Sequence, residues 1–237
     1  TVAKYEYGHK ISATMQTAHP HLDPRQGNMI VNYMLKISLF NYYEVFNVRG
    51  RAYQQVSRVP VTSPSYMHSF ALTERYVILV EQPLKLPGYG RGVFALAFGN
   101  KPFMENFIWD GSQPTVFQVI DRNSGIVVTQ AETDAFFVFH QLNAYEQNNE
   151  IILDLAAYPN ASVLPDFFLD RLRANNHIPH TPAWAKRYRI PLGQPHSRID
   201  GETLASLNLE LPRINYRYNT RPYRYGYGVS LHQDLPD

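Results

Sequence analysis

Short apolar runs, each bounded by turn-forming residues, constrain the fold of this 237-residue chain more than any other feature of its sequence. The runs are rich in Val, Ile, Phe and Tyr, which are the residue types that suit a pleated strand. They predict strands over residues 29–40, 76–81, 115–121, 126–130, 135–140, 150–156 and 186–191. Because few segments have helical spacing, the sequence predicts an all-β fold.

Turn signals separate these runs. Gly, Asn, Asp and Pro, which favour chain reversals, are concentrated at residues 23–28, 122–125 and 147–149. Residues 115–130 are therefore predicted to form a hairpin. One helix is predicted over residues 165–174, where Phe168, Leu169 and Leu172 have helical spacing. Many short strands are typical of a sandwich, a barrel or a propeller, and without a strict repeat the pattern does not choose among them.

Composition and motifs exclude several classes of protein. The chain has no cysteine, which excludes disulfides, thiolate metal sites and cysteine nucleophiles. It also has no Gly-x-Ser-x-Gly elbow, no phosphate-binding Gly-Lys-Ser/Thr loop and no His-Glu-x-x-His motif. No run approaches the roughly 18 apolar residues of a membrane span, and residues 1–6 lack a signal-peptide pattern. The expected location is therefore cytoplasmic or peripheral to a membrane.

A basic and aromatic cluster over residues 213–227 allows two interpretations. Four arginines alternate with five tyrosines, and such a set can neutralise phosphates and stack on bases. The same alternation is typical of a twisted strand pair, and the net charge of the chain is only +2. We expect strands here and no nucleic-acid partner.

Residues 84–109 are rich in Gly and large apolar side chains, with two lysines and one arginine among them. This composition favours equally a surface loop that dips into a membrane interface and a buried connection under the fold.

Histidine carries the chemical hypothesis, because imidazole is a common metal ligand near neutral pH and the chain has nine histidines. His19 and His21 flank a proline, His68 opens a strand-like region, and His140 ends the apolar run 136–139. A buried imidazole needs partners for both of its ring nitrogens. Taken singly, each is more often a hydrogen-bonded core histidine than a metal ligand. The remaining histidines are predicted to lie at the surface.

Four separated blocks resemble the carotenoid cleavage oxygenase family, which includes β-carotene oxygenases and the retinoid isomerase of the retinal pigment epithelium. The blocks read TAHPH at 17–21, YMHSFALT at 66–73 with a continuation to residue 83, FHQLNAYE at 139–146 and LELPRINY at 209–216. They keep the order of the family, and the intervals of 49 and 72 residues between the three histidines suit its spacing.

This resemblance implies a seven-bladed β-propeller in which four histidines on the axis hold Fe(II). Carried over position by position, it makes His19, His68 and His140 ligands and leaves His21 as a non-ligand neighbour. Glu210 matches a carboxylate that accepts a hydrogen bond from the far nitrogen of His140 and offsets the charge of the metal.

The activity implied by the resemblance is cleavage of a carotenoid or apocarotenoid double bond with O2, giving aldehyde products. Because such a substrate is extracted from lipid, we expect peripheral membrane association. Candidates for the substrate tunnel or the membrane patch are Phe94, Phe98, Phe103, Phe107 and Trp109. A stilbene-cleaving or retinoid-isomerising activity is the alternative within the family. The non-enzymatic alternative is an inactive, iron-free fragment that binds carotenoid or membrane.

The chain departs from the family pattern towards its ends. The resemblance implies a fourth histidine near the C-terminus, and His232 does not lie in the matching context. At roughly 40 to 50 residues per blade, 237 residues correspond to about five blades. We therefore expect residues 1–237 to form one partial propeller domain that lacks N-terminal and C-terminal parts and provides three of the four ligands.

Overall fold

The computed structural model describes residues 13–27, 29–88, 94, 99–174 and 181–230. In chain order, the strands of these residues are β1 Met15–Gln16, β2 His21–Asp23, β3 Met29–Lys36, β4 Tyr42–Arg49, β5 Ala52–Pro60, β6 Ala71–Leu72, β7 Tyr76–Glu81, β8 Leu84–Lys85, β9 Ile108–Trp109, β10 Thr115–Asp121, β11 Val127–Thr133, β12 Phe137–Gln147, β13 Glu150–Tyr158, β14 Trp184–Pro191, β15 His196–Arg198, β16 Glu202–Asn208, β17 Glu210–Ile214 and β18 Gly226–Val229. The helices are α1 Val163–Asp166 and α2 Leu169–Arg173, with short 3-10 turns at Pro24–Gln26, Phe103–Asn106 and Tyr216–Tyr218.

The strands form three larger sheets and two strand pairs. Sheet 1 has the order β1-β3-β4-β5, with β2 also paired to β3. Sheet 2 has the order β6-β7-β10-β11-β15, and sheet 3 has the order β12-β13-β14-β16. Neighbouring strands are antiparallel except for β11 and β15. The predicted all-β class is confirmed. The length had predicted about five blades; the described residues form three sheets of four or five strands, and much of 83–88, 99–114, 159–174 and 181–183 lies outside these sheets.

Sheet 2 lies between the other two sheets, and both of its faces are buried. Along β7, Tyr76, Ile78 and Val80 pack with residues of sheet 3. Their neighbours Val77 and Leu79 pack with residues of sheet 1. Successive side chains of a strand point to opposite faces, so a strand buried on both faces reads as a continuous apolar run. Residues 76–81 have such a run, which is why the sequence identified this strand well.

Turn chemistry explains where prediction and structure agree or differ. The hairpin predicted over residues 115–130 is confirmed, because β10 and β11 pair around a turn at 122–126. The strand predicted over 29–40 ends at Lys36, because Ser38 Oγ accepts from the Phe40 N–H and Asn41 Oδ1 accepts from the Ser38 N–H. These side-chain hydrogen bonds stabilise a turn, which takes the place of further backbone pairing between strands.

The single helix predicted over 165–174 is wrong. Two short helices occupy this region, and they are separated at Phe168, whose backbone is extended with φ −70° and ψ 142°. The apolar side chains that gave helical spacing, including Leu169 and Leu172, are exposed. Without a core to pack against, they do not stabilise one continuous helix. Neither helix exceeds five residues, so no helix in the described part of the chain is long and apolar enough to cross a bilayer.

The ends of the stretch 84–109 form a buried connection. Strands β8 and β9 pair with each other, and Leu84, Leu86 and Phe107 are buried in one apolar cluster. Between these ends, Phe94 is exposed, and Phe98 lies outside the described residues. The buried interpretation therefore holds for both ends of the stretch.

Candidate metal centre

Each of the three larger sheets brings one predicted histidine to its edge. His19 lies two residues before β2, which pairs with β3 at the edge of sheet 1. His68 lies three residues before β6, the edge strand of sheet 2. His140 lies within β12, the edge strand of sheet 3. The three edges converge, so the fold assembles residues that are far apart in sequence.

Strand β12 is irregular where it carries His140. Its register against β13 shifts between Val138 and Gln141 and again between Gln141 and Asn143. Such bulges add a residue to one strand of a pair and change the direction of local side chains, often beside functional sites. The sequence predicted a strand ending at His140, whereas β12 continues to Gln147.

The three imidazoles form one compact, half-buried group. One ring nitrogen from each of His19, His68 and His140 lies within 4.8 Å of the others. The closest pair is His19 Nε2 and His68 Nε2, at 2.9 Å. The ring of His140 is nearly perpendicular to both other rings, with interplanar angles of 85° and 90°. The structure thus brings together all three histidines predicted as ligands.

These nitrogens suit a metal ion in both spacing and chemistry. Two imidazoles bound at about 2.1 Å with a right angle at the ion have nitrogens about 3.0 Å apart, which is close to the separation of His19 Nε2 and His68 Nε2. Imidazole donors suit Zn, Cu, Fe and Ni ions. The residues present therefore fit a transition-metal ion.

Burial keeps two of these histidines in the form that binds metals. Burial, together with the smaller effects of the neighbouring His140 and His19, lowers the pKa of His68 to about 4. Burial also lowers the pKa of His19, again with a contribution from His140. A neutral imidazole has a free lone pair, so the environment of these two residues favours ligation near neutral pH.

Glu210 orients His140. Its Oε2 lies 2.7 Å from His140 Nδ1, and both side chains are mostly buried. A carboxylate accepts, so Nδ1 carries the hydrogen and Nε2 is left free to face the other histidines. The N–H of Leu211 also donates to Glu210 Oε2. Leu211 has a φ of +49°, an unusual conformation for a branched residue, and it occurs here beside the site.

Two further contacts fix the other imidazoles. Tyr66 places its hydroxyl 3.0 Å from His68 Nδ1, which leaves the Nε2 of that ring for the group. The Thr17 hydroxyl donates to the carbonyl of His68 and accepts from the N–H of His19, at 3.1 Å. Thr17 therefore joins the chain segments of two of the histidines. Sequence reasoning assigned no role to Tyr66 or Thr17, although both lie inside the quoted blocks.

His21 points away from the group. Its Nε2 donates to the carbonyl of Phe70, at 3.0 Å, and its ring packs edge-on against the Phe70 ring. This contact agrees with its predicted role as a non-ligand neighbour. A cavity of about 290 Å³ separates this region from residues 212–219 and is bordered by His19, His140, Gln141 and Arg213.

Aromatic rings cover another side of the histidines. Phe139 lies edge-on to the His68 ring, with centroids 5.3 Å apart, and also contacts Phe137 and Phe167. Tyr66 contacts Phe107, with centroids 5.8 Å apart. The apolar run that ends before His140 predicted that Phe139 is buried next to this histidine. No periodic pattern in the sequence predicted that Phe167 lies nearby.

The five predicted tunnel or membrane residues do not share one environment. Phe107 is buried, and Phe103 and Trp109 are half-buried in the apolar cluster that includes Tyr66. Phe94 is exposed, and Phe98 lies outside the described residues. The Phe107 ring is enclosed by protein, with an exposed fraction of 7%. The most exposed large apolar side chains of the described chain are instead Leu39 and Phe40, each 83% exposed, which sequence reasoning missed.

A match to a family model decides the relationship. The family described as retinal pigment epithelial membrane protein matches residues 1–236. The chain belongs to this family. This confirms the resemblance that the four sequence blocks carried.

Individual family members extend this result. Carotenoid isomerooxygenase of Galleria mellonella is 31% identical over 239 residues, covering 94% of this chain and 46% of that protein. β,β-Carotene 15,15'-dioxygenase of Mus musculus is 28% identical over 282 residues, covering 98% of this chain and 48% of that protein. The crystal structure of Pseudomonas brassicacearum lignostilbene dioxygenase matches with a TM-score of 0.73 at 22% identity, over 94% of this chain and 45% of that one, and so shares the fold. The chain spans about half the length of these proteins.

Proposed function

We propose that the complete protein is a non-haem Fe(II) dioxygenase that cleaves a carotenoid or apocarotenoid double bond with O2, giving aldehyde products. The observation that carries this proposal is the group of three ring nitrogens within 4.8 Å of one another, contributed by His19, His68 and His140. The names of the two relatives, a carotenoid isomerooxygenase and a β,β-carotene dioxygenase, support the substrate class.

The proposed fold of the complete protein is a seven-bladed propeller. Sheets 1, 2 and 3 would be three of its blades, since each presents an edge strand to the same centre and each has the four or five strands of such a unit. Because the chain spans about half the length of its relatives, ligands beyond the three histidines can come from residues outside this sequence.

The protein's own residues have separable roles in this proposal. His19, His68 and His140 would hold the iron, which supplies activation of O2 when it is bound. Glu210 keeps the proton of His140 on Nδ1 and contributes negative charge near a site of neutral imidazoles. Phe139 and Tyr66 limit the access of water and offer apolar ring surface to a polyene. No side chain of the group is required to act as an acid or a base.

Product analysis tests the activity. The complete iron-loaded protein is incubated with β-carotene and O2, and the products are separated by chromatography. We expect aldehydes formed by cleavage of one double bond, and no turnover by the His140→Ala variant. Cleavage of a stilbene without cleavage of carotenoids, or isomerisation of a retinyl ester, would replace the carotenoid assignment. Lack of all three activities in an iron-loaded protein would refute the enzymatic proposal.

Peripheral membrane association is part of this proposal. Leu39 and Phe40 form the exposed tip of the β3–β4 turn. Asn41 donates to the Thr62 carbonyl at 3.2 Å, and Thr62 lies beside Gly88, where an added Cβ would be 3.2 Å from Thr62 Cγ2. The exposed pair therefore borders the beginning of the stretch 84–109. Adjacent exposed apolar side chains beside a Gly-rich stretch are typical of a shallow membrane contact.

Vesicle sedimentation tests this contact. Transfer of two large apolar side chains from water is worth at least about 3 kcal/mol, so the double variant Leu39→Ser/Phe40→Ser should bind phosphatidylcholine vesicles on the order of 100-fold more weakly. Leu207→Ser is a matched control, because Leu207 is 59% exposed on β16 in another sheet. Equal binding by the double variant and the wild type would exclude this turn from the membrane contact.

A further inference from the structure

Arg122, in the turn between β10 and β11, has a buried side chain that connects two other chain segments. The exposed fractions of the Arg122 and Asp23 side chains are 6% and 4%. Arg122 Nη2 donates to Asp23 Oδ2 at 2.7 Å. Its Nη1 donates to the carbonyls of Thr73 and Glu74, at 3.2 and 2.9 Å. One guanidinium therefore holds the end of β2 against the turn between β6 and β7.

Each of these contacts lies just beyond a histidine of the metal group. Asp23 follows His19 by four residues, and Thr73 follows His68 by five residues. The network also reaches the strand of the third histidine, because the Thr73 hydroxyl donates to Glu146 at 2.7 Å and Glu146 lies with His140 on β12. The arginine and its partners thus connect the three strands on which the metal group depends.

Among the described residues, the Asp23 side chain has one hydrogen bond besides that from Arg122. The second carboxylate oxygen of Asp23 accepts from the Arg25 N–H, at 3.1 Å, and caps the 3-10 turn. A planar guanidinium can serve a carboxylate and two carbonyls at once, whereas an ammonium is a single point charge. Removal of the guanidinium would leave a buried carboxylate unpaired, so the segment after His19 should shift to regain water.

We propose that Arg122 is a positioning residue for the metal centre, which fixes the segments of His19 and His68 relative to each other and to β12. This proposal rests on the proposed function, since it requires a metal ion bound by the three histidines. Arg122 itself does not touch that group, and its effect is transmitted through Asp23 and the Thr73–Glu74 backbone.

Cobalt titration of the complete, metal-depleted protein tests this role, because the visible absorption of bound Co2+ reports both affinity and ligand geometry. We expect Arg122→Met to weaken Co2+ binding at least about 10-fold and to change the absorption bands. Arg187→Met is the matched control. Arg187 makes two 2.8 Å bonds to the buried Asp154 and joins strands of sheet 3 alone. Its loss should lower the thermal midpoint while leaving Co2+ affinity within about 2-fold of wild type.

The outcomes separate the two proposals. If the wild type binds no Co2+, the metal site itself is refuted. If the wild type binds and Arg122→Met binds equally well with the same spectrum, the positioning role is refuted and the metal site stands. Equal losses of affinity in the Arg122 and Arg187 variants would also refute positioning, because they would follow general destabilisation. If Arg122→Met does not fold, Asp23→Asn is used, since an amide oxygen can still cap the Arg25 N–H, and the same loss of affinity is expected.

Discussion

Removal of the Glu210 carboxylate should weaken metal binding without unfolding the protein. Glu210 Oε2 lies 2.7 Å from His140 Nδ1, with both side chains mostly buried, so this is a short, charge-assisted hydrogen bond. Hydrogen bonds to charged groups contribute roughly 1.5 to 3 kcal/mol, which corresponds to about 10- to 100-fold in a binding constant. Glu210→Ala loses both the charge and the acceptor, so we expect a loss near 100-fold.

The amide variant separates charge from hydrogen bonding. Glu210→Gln keeps an acceptor oxygen and can hold the same His140 tautomer, so its loss should be near 10-fold, about half of the free-energy cost in the Ala variant. The assay is competition for Fe2+ between each variant and a coloured chelator. Glu202→Gln is the control, because Glu202 is exposed and 4.0 Å from Arg189. Equal Fe2+ affinities of the wild type and Glu210→Ala would refute the orienting role of Glu210.

Three further predictions concern stability. Gly125→Ala should lower the free energy of unfolding by at least about 2 kcal/mol, since φ is +72° and a Cβ would lie 2.1 Å from the Val56 carbonyl oxygen. Gly27→Ala, with φ +66° and open space around the added Cβ, should lower it by about 1 kcal/mol. Urea melts of both variants measure the difference, and equal losses would contradict the clash. Phe117 is fully buried between sheets 2 and 3, so Phe117→Ala should lower the free energy of unfolding by about 3 to 5 kcal/mol in the same urea melts. A loss under about 1 kcal/mol would contradict that packing. In the metal-free protein, the pKa of His68 is lowered to about 4, so between pH 6.5 and 4 the unfolded chain binds a proton that the folded chain does not. The free energy of unfolding should therefore fall as pH is lowered through this window, and it should fall less steeply in His68→Gln. Identical slopes in the wild type and this variant would contradict the lowered pKa of His68.

Several of the strands that sequence reasoning found, such as β7 and β13, are buried on both faces and appear in the sequence as continuous apolar runs. Strands β4 and β5 were missed because part of their buried surface is polar. Glu44 is buried on β4 and pairs with Arg58 and Tyr53 on β5, so the pattern resembled a surface segment. Strand β16 was missed for a different reason, since its side chains are largely exposed and show no alternation.

The candidate site was accessible from sequence only through resemblance. His19, His68 and His140 are separated by 49 and 72 residues, and neither interval corresponds to a local periodicity. Their convergence depends on three sheet edges and on the bulges of β12, which depend on tertiary packing. The Arg122 network was not predicted either, because a lone arginine after a strand is usually solvated.

Metal analysis of the purified complete protein tests the central claim most directly. Elemental analysis by mass spectrometry after anaerobic purification with Fe2+ should give about one iron per chain, since the three histidines form one compact group. Substitution of His19, His68 or His140 by Ala should each remove it, while His196→Ala, an exposed histidine on β15, should not. Full iron content in a His140→Ala protein, or no iron in the wild type, would contradict the assignment of this group as an iron site.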